Sequence, residues 1–200
     1  MSQRPTDILA KGSNFLGLLK ALNQTNAGTA DRVLAALPRE VGDALRYGHI
    51  VAVGWYPVRW YAELHAGVER VLSAGPSFAR TLGHDATFAD FTGIHRMIAS
   101  VLTVETAFGQ TPRLMALYWR GGKIERLELE RGRSRIRFAG WHGFSRHVWE
   151  DIIGSTEAIL ELCGAKHIRC RAVNRLDDAT TVDIELRWTS SRLSLGPSAE

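Results

Sequence analysis

The chain has 200 residues, 45% of them apolar and 23% charged, a balance that excludes a disordered, fibrous or membrane-embedded protein and fits an ordinary globular domain. No run approaches the roughly 18 apolar residues that span a bilayer, and Met1-Ser2-Gln3-Arg4-Pro5 has no apolar signal core; a cytoplasmic location is expected. The net charge of +4, carried mainly by Arg, allows acidic partners without demanding one, and two cysteines, Cys163 and Cys170, exclude a disulfide framework and a four-Cys zinc site.

Residues 1–12 read as a flexible lead-in, 13–188 as one domain, and 189–200, rich in Ser, Gly and Pro, as a flexible tail. Ser13 or Asn14 caps a predicted helix with the apolar stripe Phe15, Leu18, Leu19 and Leu22. Gly28 breaks the chain before a short helix carrying Val33, Leu34 and Leu37, and Pro38 opens another with Val41, Leu45 and Tyr47 facing inward. The aromatic block Trp55-Tyr56-Pro57-Val58-Arg59-Trp60-Tyr61 leads into a helix with Val58, Tyr61, Leu64, Val68, Val71 and Leu72 on one side. Helical patterning continues over 77–90 and 93–119, broken near Gly109–Pro112.

The period changes to two after Gly121-Gly122. Facing Glu130 with Arg133 across a two-residue turn sets Leu129 against Ser134, Glu128 against Arg135 and Leu127 against Ile136, which keeps apolar and charged residues on separate faces. Residues 145–163 return to helical spacing. Two strands follow: Ile168, Cys170 and Ala172 alternate with arginines, and Val182, Ile184, Leu186 and Trp188 alternate with Asp183, Glu185 and Arg187. The expected fold is α+β: an N-terminal helical layer on a C-terminal four-stranded antiparallel sheet, β-β-α-β-β, covered on one side.

Several ordered segments carry a family resemblance: Lys11-Gly12-Ser13, Trp55-Tyr56-Pro57 with Tyr61, Thr92-Gly93-Ile94-His95-Arg96, Thr111-Pro112-Arg113-Leu114, Gly121-Gly122, Glu161-Leu162-Cys163-Gly164-Ala165 and Glu185-Leu186-Arg187-Trp188. Over residues 11–188 the chain resembles a paralogous family of uncharacterised proteins abundant in myxobacteria. That family is distantly similar to the haem-nitric-oxide-binding and 4-vinyl-reductase-like ligand domains. The resemblance implies a sensor or adaptor with a pocket between helices and sheet, and no known reaction. Two departures stand out. The haem-binding relatives hold the propionates with Tyr-x-Ser-x-Arg, whereas Ser134 here lies in Gly132-Arg133-Ser134-Arg135-Ile136. The paired cysteines common on the last two strands of the 4-vinyl-reductase-like domains reduce to Cys170, with no partner on the second strand.

The candidate site residues follow. Trp55, Tyr56, Trp60, Tyr61 and Phe138 are aromatics suited to an apolar pocket wall, and Trp141 and His142 lie in a turn where a pocket mouth would sit. His95 is the candidate axial ligand should haem bind; without the propionate clamp, no cofactor is expected and haem is disfavoured. Arg131, Arg133, Arg135 and Arg137 form a row able to hold an anion, which Glu128 and Glu130 on the same face partly neutralise. His142 and His147, five apart, have poor spacing for a shared metal; Glu150, three after His147, makes the better pair, but a solvated helix N-terminus accounts for these residues and Asp151, and no metal site is expected. No nucleophile, base and orienting group assemble from the sequence. The first expectation is a non-catalytic domain that binds a small apolar ligand. The alternative is an interaction or homodimerisation module, and a haem gas sensor comes third. Nucleic acid is not expected as a partner, since no strand signature with stacking aromatics is present.

Overall fold

The computed structural model describes residues 8–90 and 104–190, apart from the side chains of residues 107, 108 and 190. His95 and the segment 92–96 lie outside the described residues. Eight helices and seven strands follow one another in these parts of the chain.

Five helices make up most of the first half. α1 (Gly12–Thr25) buries Phe15, Leu18, Ala21 and Leu22, close to the predicted stripe. α2 (Thr29–Ala35) and α3 (Arg39–Arg46) are short, and Pro38 caps the second of them. Tyr47, expected inside, is 66% exposed because α3 ends at Arg46 and the chain turns away. α4 (Val58–Leu72) buries Val58, Tyr61, Leu64, His65 and Val68. α5 (Pro76–Asp90) lies against the later helix α8 (Arg146–Leu162). That approach is close enough to need glycine: a Cβ on Gly154 would stand 1.9 Å from the Arg80 carbonyl oxygen, and one on Gly83 2.3 Å from Asp151. α6 (Val104–Gly109) and α7 (Thr111–Tyr118) show the predicted break, at Gln110.

A small sheet escapes the periodicity. β1 (Leu9–Lys11), inside the expected lead-in, is the middle strand between β2 (Trp55–Pro57) and β3 (Trp119–Arg120), antiparallel to both. Ile8 and Ala10 are buried there.

The second sheet comprises β4 (Lys123–Glu130), β5 (Arg133–Ala139), β6 (Ala165–Ala172) and β7 (Thr181–Ser190), in the spatial order β4-β5-β7-β6 with every pair antiparallel. Its inner face buries Ile136, Phe138, Cys170, Val182, Ile184, Leu186 and Trp188. α8 is capped by Ser145 Oγ, which accepts from the Val148 amide at 3.4 Å, and it packs against β6. Arg80 ties α5 to these elements, donating to Glu157 at 2.8 Å and to the Cys170 carbonyl at 2.6 Å. The α+β architecture is the one expected.

The hairpin register agrees at its turn, where Glu130, Leu129 and Glu128 face Arg133, Ser134 and Arg135. A bulge then intervenes, so that Arg126 rather than Leu127 faces Ile136 and Leu127 is 43% exposed. Continued without it, the register would set Glu125 against buried Phe138. The extra residue sets Ile124 there instead and brings Glu125 to Arg137.

Candidate ligand-binding site

A cavity of about 100 Å³ lies among the helices. Ser13, Asn14 and Gly17 of α1, Tyr61 of α4, and Gly83, Ala86, Thr87 and Asp90 of α5 form one part of its wall. Leu114, Met115 and Tyr118 of α7, Trp119, and Asp151, Ile152, Ser155, Thr156 and Ile159 of α8 complete it. Small residues on α1 and α5 leave this space, as Gly17 shows: a Cβ there would find only Ala86 Cβ, at 3.8 Å.

Its floor carries a buried polar unit. Tyr61 donates to Asp151 Oδ2 at 2.5 Å, and His65 Nε2 lies 2.9 Å from the same oxygen. Ser155 Oγ stands 3.2 Å from Asp151 Oδ1 and also 3.2 Å from the Gly83 carbonyl. His65 is 1% and Asp151 4% exposed, so this carboxylate exchanges water for side-chain donors, the condition under which burying a charge is tolerable. Burial, reinforced by Asp151, pushes the Tyr61 phenol well above its ordinary pKa and keeps it a neutral donor. His65 Nδ1 is buried with no hydrogen-bond partner. At the exposed end of the cavity Tyr118 donates to Asp90 at 3.2 Å, and burial together with Asp90 pushes that phenol up to about 12.

Of the pocket candidates, Tyr61 lines this cavity and the others lie elsewhere. Trp55 faces the Arg120 guanidinium at 4.0 Å. Tyr56 anchors a loop, accepting from the Val51 amide at 2.8 Å and donating to the His49 carbonyl at 2.9 Å, and it stacks on Trp60. Phe138 and Trp141 belong to a packed aromatic cluster beneath the sheet with Phe144 and Trp149, whose ring centroids lie 4.7–5.6 Å apart along successive contacts. His142 is exposed. These rings pack between α8 and the sheet, and the cavity lies among the helices; a second, wider space of about 410 Å³ lies between α7 and the start of β4, with Trp141, Trp119 and Ile124 in its wall.

The arginine row is met by carboxylates. Arg131 sits in the turn between β4 and β5 rather than on the strand face. Arg133 lies 3.3 Å from Glu128, while Arg135 and Arg137 reach Asp183 at 2.8 and 2.7 Å. Glu185 takes Arg171 and Arg187, whose hydrogen bonds hold its pKa down to about 2. Those from Arg137 and Arg135 lower Asp183 likewise. Among the described residues, no three His, Cys, Asp or Glu side chains converge as metal ligands. His147 lies 3.4 Å from Glu69, its pKa lowered chiefly by desolvation. Both cysteines are buried, and burial pushes the Cys170 thiol up.

Sequence reasoning did not single out His65, and it weighed Asp151 only as a metal ligand. A signal was available: His65 sits on the apolar stripe Tyr61-Leu64-Val68, and Asp151 on the stripe of Val148 and Ile152. An imidazole and a carboxylate buried on the apolar faces of two helices need partners, and each other is the economical choice.

No family model matches the chain, and no curated protein matches it. Solved structures do. An Fe(II) unliganded H-NOX protein from K. algicida superposes with a TM-score of 0.68 at 11% identity, covering 92% of this chain and 98% of that one. An oxygen-binding H-NOX domain related to soluble guanylate cyclases gives 0.63 at 11% identity, covering 95% and 100%. A point mutant of T. tengcongensis H-NOX gives 0.56 at 13% identity, covering 92% and 100%. These likenesses carry the fold and not membership of the myxobacterial family. With helices ahead of a β-β-α-β-β sheet over nearly the whole length of its neighbours, the chain has an H-NOX-like fold.

Proposed function

We propose that the chain is a non-catalytic sensory domain that binds a small ligand without haem. The cavity floored by Tyr61, His65, Asp151 and Ser155 is the observation that carries this reading, and similarity to gas-binding H-NOX proteins supports a sensor over other roles. A non-catalytic role fits the floor: the Ser155 hydroxyl is engaged by Asp151 and Gly83, and no described hydroxyl or thiol is bonded to His65.

The described residues of this cavity do not fit haem. The space beneath the sheet holds packed rings, and the cavity's 100 Å³ falls short of the several hundred Å³ typical of cofactor sites. Two carboxylates line it with no Arg, Lys or His among its described lining residues, which opposes a porphyrin bearing two propionates. Ser134 Oγ is committed to the Glu128 carbonyl at 2.9 Å. Freshly purified protein is expected to show no Soret band and to take up no haemin; a Soret band at one haem per chain would overturn the haem-free reading. Native mass spectrometry of protein from its own host is expected to show a retained small molecule.

A second reading, an interaction module, is favoured by Tyr47, Val51 and Val53, which are 66, 50 and 77% exposed close together in sequence. Sedimentation equilibrium separates the two: a self-association abolished by Val53→Glu supports the module, and a monomer at all concentrations counts against a homodimer.

A further inference from the structure

We infer that the cavity takes a small organic cation, an ammonium on an apolar body of a few carbons. This rests on the cavity being a ligand site and adds the chemistry of the ligand. Asp90 and Asp151 both face the space; the described lining residues include no Arg, Lys or His, and the base that meets Asp151, His65, engages Oδ2 from outside that lining. Asp151 Oδ2 is saturated by Tyr61 and His65. Its Oδ1 has only Ser155, whose single proton is contested by the Gly83 carbonyl, so this oxygen keeps acceptor capacity. The rings of Tyr61, Tyr118 and Trp119 stand around the same space, a wall that favours cations. Independently, Ser13 lines the cavity, and its Oγ is cut off from solvent and has no hydrogen-bond partner, a polar atom that a ligand N–H would satisfy. The volume lies below the 150 Å³ of a benzene-sized cavity and limits the ligand to about five heavy atoms.

The test is a titration of the ¹⁵N-labelled protein with n-butylamine, 1-butanol and butyrate at neutral pH, followed at the Trp119 indole and the neighbouring amides. Butylammonium is expected to bind at least tenfold more tightly than butanol, and butyrate not at all. Asp90→Asn, at an exposed position, is expected to reduce that preference severalfold. Gly17→Leu, which has room for its Cβ and fills the cavity, is expected to abolish the shifts while the spectrum stays folded. Butanol binding as tightly as butylammonium would overturn the cation assignment and leave the ligand site standing. Butylammonium shifts that survive Gly17→Leu would place the binding elsewhere and overturn the assignment. No response to any of the three would overturn both.

Discussion

Beneath the sheet, the interior is closed by rings: Phe138, Trp141, Phe144 and Trp149 meet edge to face or tilted, and Trp149 is fully buried. Among the helices, the interior is bounded by small residues, Gly17, Gly83 and Ala86, and floored by Asp151 with its three neighbours. The first region stabilises through packing and excludes a ligand; the second forgoes packing and presents oriented polar groups. On the proposed reading, stability and binding fall to different layers of one small domain.

The comparison predicts unequal costs. Trp149→Ala should destabilise most, by about 4 kcal/mol, since it removes a fully buried indole from a region that cannot collapse to fill the hole. Urea denaturation at pH 7 measures this. Tyr61→Phe keeps the ring and deletes one hydrogen bond to a buried carboxylate, so about 2 kcal/mol is expected from the same denaturation. A cost equal to that of Trp149→Ala would break the distinction between the layers.

Gly17→Ala should stabilise by roughly 0.5–1 kcal/mol, because a helical glycine gains propensity and its new methyl meets only Ala86. Gly83→Ala in the neighbouring helix should instead destabilise, since its methyl would collide with Asp151. Thermal melts of the pair would show whether the space is real on one side and closed on the other.

The smallest effect at neutral pH is expected on the sheet's outer face. Glu185 is held at about 2, below its unfolded value of roughly 4.3. Its ionised form therefore favours the folded state. That contribution is complete above the unfolded value and is lost as pH falls through the folded one. Glu185→Gln should flatten the loss of stability between roughly pH 4.3 and 2 in denaturant titrations. Asp183, lowered by Arg137 and Arg135, keeps part of that slope in place.

The larger sheet was legible because its central strands β5 and β7 set their apolar residues on one face, so two-fold alternation marks Ile136, Phe138, Ile184 and Leu186 directly. The bulge at Leu127 was not: alternation alone continues past it, and only Phe138 on the partner strand demands the shift. β1 was hidden for a different reason. Three residues carry no period, and their partners, Trp55–Pro57 and Trp119–Arg120, lie far along the chain. Tyr61 was found as an aromatic on a buried stripe, whereas the cavity it borders depends on what Gly17 and Ala86 leave empty, and no pattern of residues in one helix records an absence. Trp119, another wall residue, went unselected because its neighbourhood is made by strand pairing that the sequence does not reveal.

Methyl NMR under xenon pressure tests the division of the interior most directly, because xenon enters open apolar space irrespective of ligand charge. The methyls of Ala86, Leu114, Ile152 and Ile159 around the cavity should shift, with Ile136, Val182 and Ile184 beneath the sheet unmoved. Shifts confined to the methyls beneath the sheet, or none at either place, would contradict the account.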